Sequence, residues 1–320
     1  MKNIKKTIDT FKSSDGLNQV YYYIYEAETY AKEGPKGIVQ ISHGMTEYLE
    51  RYENEAGLIE FLVGQGYVVC GNDHLGHGRT SDGEEGLDGY MAEDDGYLHV
   101  LEDLHQMTEI IKYKFPGLPL FMFGHSMGSF FARLYGEVYG KELAGLIISG
   151  TSGPNPLANV GKHMVNFLTL IKGSKAESKL IQNMSFGSYN KRIENAKTVS
   201  DWLSRDDEIV RKYRKDDKCT FLFKLNGYKN LMAVLSAVNR PEWAASLPKN
   251  LPIYIFSGEE DPVGEYGKGV KLVYRMLVDA GIEDLKFKLY EDARHEVHNE
   301  LMETRNELFQ DLKTWLGAHL

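Results

Sequence analysis

The chain has 320 residues, 42% hydrophobic and 26% charged, with 46 acidic against 37 basic residues for a formal net charge of −9. That length buries a large core, and this balance excludes fibrous and compositionally disordered classes. The acidic surplus repels phosphate backbones and anionic lipid surfaces over most of the molecule, which argues against a nucleic-acid role.

The N-terminal stretch Met1 to Asp9 is basic but lacks an apolar segment behind it, so no export signal is expected, and no run approaches membrane-spanning length. A turn at Asp15-Gly16 followed by Asn18 to Tyr25 predicts a hairpin. Mainly apolar runs at Gly37 to Ser42, Tyr67 to Gly71, Leu118 to Phe123 and Leu143 to Ser149 predict strands covered on both faces. Helices are predicted between them, over Asn54 to Gly64, over Leu98 to Lys114 with Leu98, Leu101, Leu104, Met107 and Ile111 on one face, and over Met127 to Tyr139. This alternation predicts a mostly parallel α/β sheet.

From about Gly153 to Lys249 the pattern turns helical, without a credible parallel strand. Strands resume at Ile253 to Phe256 and Leu285 to Tyr290 around a helix from about Tyr266 to Ala280, and a last helix carries Leu308, Leu312, Trp315 and Leu316. The expected organisation is one α/β domain, residues 1–152 and 250–320, interrupted by a helical subdomain at 153–249.

The two cysteines, Cys70 and Cys219, are too few for a disulfide framework and form no metal-binding spacing, so a reduced, cytoplasmic protein without a metal is expected.

The strand ending at Phe123 runs into Gly124-His125-Ser126-Met127-Gly128, and a helix begins at once. A serine on so tight a strand-to-helix turn is forced to expose its hydroxyl, and the flanking glycines give the backbone room. Such a serine needs a base to take its proton and an acid to orient the base. Asp261 follows the strand at 253–256 and His295 follows the strand ending at Tyr290, in the order this turn requires. Glu259 and Glu260 compete with Asp261, and His298 with His295. Two backbone N–H groups must receive the developing negative charge: Met127, next to the serine, and Met45, in the loop His43-Gly44-Met45-Thr46-Glu47. His43 is read as a support for that loop rather than as a base.

With Gly124-His125-Ser126-Met127-Gly128, His43 to Tyr48, Arg51-Tyr52, Asp73 to Thr80 and Ala293-Arg294-His295-Glu296 in place, the chain resembles the monoacylglycerol lipase and bacterial lysophospholipase-like branch of the α/β-hydrolases. The resemblance implies an eight-stranded, mostly parallel sheet with a helical cap inserted after strand 6. It also implies hydrolysis of monoacylglycerols or lysophospholipids through an acyl-enzyme on Ser126, without an organic cofactor. A short-chain or aryl carboxylesterase, a serine aminopeptidase, an acyltransferase and a non-catalytic binding module stay open. The family usually has Gly where this chain has Thr46 and His where it has Tyr48. Its Asp73 to Thr80 loop is structural, with His77 beneath the site. The insertion becomes the cap, in which Val160, Met164, Phe167, Leu168 and Ile171 share a helical stripe of the kind that usually packs as core; over an active site such a stripe can also line an acyl channel, with Met164, Phe167 and Leu168 as the candidate lining residues. Trp202 is expected to anchor the cap, and the run Arg211 to Lys215 before Asp216-Asp217 reads as a solvated helix end.

Overall fold

In the computed structural model, which describes residues 3–30, 34–54, 57–83 and 86–320, eight strands form one sheet. They are β1 (Ile4–Lys12), β2 (Gln19–Ala27), β3 (Gly37–Ser42), β4 (Tyr67–Asn72), β5 (Leu120–His125), β6 (Gly145–Ser149), β7 (Ile253–Gly258) and β8 (Leu285–Tyr290). The order across the sheet is β1-β2-β4-β3-β5-β6-β7-β8, and β2 alone runs against its neighbours. The expected hairpin is present, its turn closed by the Ser13 amide on the Asn18 carbonyl at 2.9 Å.

The central strands are buried along their whole length because both faces are covered. Alternate side chains feed two separate cores. Ile38, Val68, Met122, Ile148 and Ile255 point to one face, and Val39, Val69, Phe123, Ile147 and Phe256 to the other. The first face is covered by α2 (Gly96–Lys114), α3 (Met127–Tyr139) and α10 (Lys268–Asp279). The second is covered by α1 (Leu58–Gly64) and α11 (Met302–Ala318).

Several boundaries differ from the expected ones. β5 starts at Leu120, two residues late, and runs on to His125, so the chain arrives at Ser126 still extended. Pro119 lacks an N–H but its carbonyl accepts from Ile38 at 2.8 Å, which ties it to the edge of the ladder. In α2 the inward face is Val100, Leu101, Leu104, Met107 and Ile111, while Leu98 points outward. Positions 55 and 56 of the expected helix at 54–64 lie outside the described residues.

The helical cap follows β6. It comprises α4 (Pro156–Lys172), α5 (Lys179–Phe186), α6 (Asp207–Lys215), α7 (Asp217–Thr220), α8 (Leu225–Val238) and α9 (Pro241–Ser246). Helix α8 packs on both α3 and α4 and shares the first core through Tyr228, Leu231 and Val234. Arg133 of α3 fastens this join. Its buried guanidinium donates to the Ser152 carbonyl and to Asn239 Oδ1, both at 3.0 Å, and lies 4.2 Å over the Trp243 ring. Burial without a carboxylate partner pushes its pKa down to about 9.

No helix among the described residues is long and apolar enough to cross a membrane.

Candidate active site

The parallel strands β3, β5, β6, β7 and β8 all point their C-terminal ends to one side, and the loops leaving them meet there. That is the edge at which open α/β sheets bind ligands.

Ser126 occupies the turn between β5 and α3 with φ 54° and ψ −123°, a conformation that L-residues avoid. Its neighbours explain how the turn is tolerated. A Cβ on Gly128 would collide with the carbonyl oxygens of Ser42 and His43, and one on Gly124 with Gly128 and Ala132. Only glycine fits at either place. The Ser126 amide is held by the Ser149 carbonyl at 3.0 Å, which locks the elbow to β6.

Asp261 and His295 are brought together by the ends of β7 and β8. His295 Nδ1 donates to Asp261 Oδ1 at 3.0 Å, and both side chains are buried. The carboxylate also accepts the Val263 amide at 2.9 Å and the Ser257 hydroxyl at 2.8 Å, so it is fixed by three donors. With Nδ1 bound to the acid, the lone pair of the neutral imidazole sits on Nε2. Burial works against charge on His295, but Asp261 outweighs it and holds the pKa above 6.5.

The competitors are not brought in. Glu259 and Glu260 are exposed. His298 is buried, stacked on Tyr52 at 5.0 Å, and neither of its nitrogens has a partner among the described residues; burial pushes its pKa to about 4.

The loop after β3 places Met45 beside the serine. The Gly44 amide is taken by Glu47, whose carboxylate also accepts from Tyr52 at 2.8 Å and Arg51 at 2.6 Å. The Gly44 carbonyl accepts from His43 Nδ1 at 2.8 Å, while His43 Nε2 accepts the His74 amide at 2.9 Å. That backbone donor fixes the tautomer. Because a trans peptide points its C=O and N–H in opposite directions, pulling the Gly44 carbonyl toward His43 turns the Met45 N–H away from it. His43 is therefore a support for the loop. The Met45 and Met127 amides donate to no protein acceptor among the described residues, and Met127 opens α3, where the helix dipole favours negative charge.

His77 lies beneath this loop, its ring 5.2 Å from that of His43, with Nδ1 donating to the Leu75 carbonyl at 3.0 Å. Asp73 of the same segment receives the Leu49 and Arg79 amides and the Tyr23 hydroxyl, all within the fold.

Ser126, His295, Met45 and Met127 open onto a cavity of about 940 Å³ under the cap, the upper range for small-molecule sites. Its lining includes apolar Met45, Phe130, Val160, Phe221, Leu231 and Leu235 and polar Asn155, Gln182, Ser188 and Glu265.

Three cap residues need correcting. Met164 and Leu168 pack half-buried against the core, and Phe167 is 59% exposed; none of the three borders the cavity, and among the described residues of α4 Val160 and Gly161 do. The inward face of α4 is set by Val165, which is 1% exposed, and by packing on α8, so later turns of the stripe face α8 or solvent.

Trp202 anchors the cap and also borders the cavity. Its ring lies 5.1 Å from His295, edge-on to Tyr189 at 4.9 Å, and its carbonyl accepts the His295 amide at 3.3 Å. In the polar run 211–215, Tyr213 turns inward to the cavity on the same face as buried Ile209 and Val210. That three-and-four spacing was its sequence signal. Arg51 has no such signal; it forks onto Glu296 at 2.9 and 3.0 Å, next to His295, and holds that carboxyl, against its burial, down to about 2. Among the described residues no His, Cys, Asp and Glu cluster is arranged to hold a metal ion.

Sheet order, elbow and helical cap together define an α/β-hydrolase. Residues 33–302 match the family described as Serine aminopeptidase, S33. The chain belongs to that family. It is 31% identical to the monoglyceride lipase of Homo sapiens over 88% of this chain and 83% of the relative. It is 26% identical to the monoacylglycerol lipase of Mycolicibacterium smegmatis over 94% of each. The crystal structure of a thermostable carboxyl esterase from Bacillus coagulans, in complex with glycerol, superposes with a TM-score of 0.89 at 33% identity, covering 98% of both chains.

Proposed function

We propose that this chain is a carboxylic ester hydrolase that cleaves monoacylglycerols through an acyl-enzyme on Ser126. The observation that carries the reading is the strained Ser126, held at a cavity it shares with His295, which is paired behind it with Asp261. Its likeness to the human monoglyceride lipase and to the Bacillus carboxyl esterase supports the substrate class.

The proposed steps are those of a serine nucleophile with a histidine base oriented by an aspartate. His295 Nε2 takes the Ser126 proton as Oγ attacks the ester carbonyl, and Asp261 holds the imidazolium that forms. The oxyanion is received by the N–H groups of Met45 and Met127. As the tetrahedral intermediate collapses, the C–O bond to glycerol breaks and His295 gives its proton to the departing alcohol. Water, deprotonated by the same imidazole, then attacks the acyl-enzyme, releasing the fatty acid and restoring Ser126. The segment 153–249 acts as the cap that closes the cavity, whose apolar lining residues take the acyl chain and whose polar ones take the glycerol. Buried, unpaired Cys70 and Cys219 support a cytoplasmic location.

A peptidase that grips a free amino group needs an available carboxylate in the cavity. Glu47 and Glu296 are occupied by Arg51, and Glu265 holds the Asn155 amide at 2.8 Å, which favours the ester.

The test is hydrolysis of monooleoylglycerol beside p-nitrophenyl esters from acetate to palmitate and a lysophosphatidylcholine, with Ser126→Ala as control. A Ser126-dependent preference for the long monoacylglycerol is expected. Activity confined to short or aryl esters would replace the lipase reading with a carboxylesterase.

A further inference from the structure

Thr46 follows the proposed oxyanion donor Met45, and its φ of 53° lies in the left-handed region. A β-branched residue is strained there, whereas glycine is at ease. Such a conformation persists only when its surroundings hold it. Thr46 Oγ1 donates to the Met45 carbonyl at 2.7 Å, and the Tyr213 hydroxyl lies 2.7 Å from the same oxygen. A threonine hydroxyl has a single proton, already given to Met45, so Tyr213 is the donor of the second bond.

Tyr213 belongs to the cap. Its ring rests 4.8 Å from the Arg51 guanidinium, and three residues on Asp216 accepts the Tyr48 hydroxyl at 2.6 Å. The cap thus grips the oxyanion loop at two alternate residues, Thr46 and Tyr48. On its N-terminal side the Met45 peptide is clamped by His43 and Glu47, inside the α/β domain. On its C-terminal side, what keeps Thr46 from relaxing is the Thr46 hydroxyl, held by the cap.

We propose that Tyr213 is a positioning residue: by bonding Thr46 Oγ1 it holds Thr46 in its left-handed conformation and so keeps the Met45 N–H aimed at the oxyanion. The cap therefore completes the oxyanion hole as well as covering the cavity. This rests on the ester-hydrolase reading with Met45 as a donor. Tyr213 touches no reacting atom, and Tyr213→Phe keeps the ring that borders the cavity, so loss of the hydroxyl appears in turnover and leaves substrate affinity in place.

The experiment measures kcat and KM on p-nitrophenyl butyrate and monooleoylglycerol for Tyr213→Phe, Thr46→Ala, Thr46→Gly and the double variant Tyr213→Phe with Thr46→Gly. Tyr213→Phe keeps the ring over Arg51 and removes only the hydroxyl. It and Thr46→Ala, which keeps the strain without the bond, are each expected to lower kcat about tenfold with KM within about twofold. Thr46→Gly removes the strain as well, so it loses less than Thr46→Ala, and the double variant turns over faster than Tyr213→Phe alone. A purely structural Tyr213 would not be rescued by glycine 167 positions away in the sequence. Wild-type turnover in Tyr213→Phe overturns the proposal, as does an equal loss from Tyr213→Phe in both Thr46 backgrounds. Retained turnover in Ser126→Ala would overturn the reading of Ser126 as the nucleophile, and this proposal with it.

Discussion

The His295 amide donates to the Trp202 carbonyl at 3.3 Å while the Trp202 ring lies 5.1 Å from the His295 imidazole, so a cap residue holds the proposed base by its backbone and its side chain at once. The next amide, of Glu296, donates to the Leu203 carbonyl at 2.7 Å and repeats the link. Trp202 in turn packs between Phe186 and Tyr189. Truncating the ring leaves the backbone bond but removes the wall against which the imidazole rests. Trp202→Ala is expected to lower kcat by about tenfold or more, since small misplacements of a reacting group are costly, and Trp202→Phe by less. Steady-state kinetics on one short ester decide it; wild-type kcat in the alanine variant would show that the base is held without the ring.

The pH dependence follows from Asp261. His295 must be neutral to accept a proton, and the carboxylate holds its pKa above the ordinary 6.5 despite burial. The acidic limb of kcat/KM is therefore expected above pH 6.5, with activity falling as pH drops through it. In Asp261→Ala the largest influence opposing burial is gone and only Glu296 and Glu47 still favour the charged ring, so the limb should move to lower pH while the plateau falls by about 10³-fold or more. A limb that stays in place in Asp261→Ala would mean that another group sets it.

Histidines that the chemistry does not use make the fold sensitive to acid. His77 and His298 are buried with pKa values near 4, and His74 near 3, in each case chiefly because burial disfavours charge. In the unfolded chain each titrates at about 6.5. The folded state thus binds fewer protons, and stability that is complete above pH 6.5 is lost as pH falls below it. At pH 5 each such histidine costs roughly 2 kcal/mol relative to pH 7.5. Denaturant titrations at the two pH values should show the midpoint falling, and His298→Phe, which keeps an aromatic ring against Tyr52, should lessen the fall.

The sheet was legible because its central strands are buried on both faces and so read as unbroken apolar runs, as at Gly37–Ser42 and Ile253–Gly258. Ser126, Asp261 and His295 were legible because each stands just beyond a strand end, where sequence position already constrains space. The cap was harder. The apolar stripe on α4 says that the helix packs but not against what, and its partner α8 lies more than fifty residues on; Met164 and Leu168 pack against the core and do not border the cavity. Tyr213 was masked by the charges around it, though Ile209 and Val210 mark its face. The hold of Arg51 on Glu296 joins residues 245 positions apart, a distance no local pattern spans.

The elbow stores strain for the sake of the exposed hydroxyl, and the strain can be measured. Ser126 sits at φ 54° and ψ −123°, a region that costs a non-glycine residue on the order of 1–3 kcal/mol. Glycine enters it freely but loses more entropy on folding, by roughly 0.5–1 kcal/mol. Ser126→Gly is therefore expected to abolish hydrolysis and to raise stability by about 1 kcal/mol, a gain of a few degrees or less in Tm for a chain of this length. Ser126→Ala keeps a Cβ in the strained turn and should abolish hydrolysis without that gain. The contrast separates backbone strain from loss of the hydroxyl, because both variants lack the oxygen and only one is relieved. Equal melting temperatures for the two would mean that the turn is not strained by its side chain, and that the elbow's geometry comes free from the packing of Gly124 and Gly128.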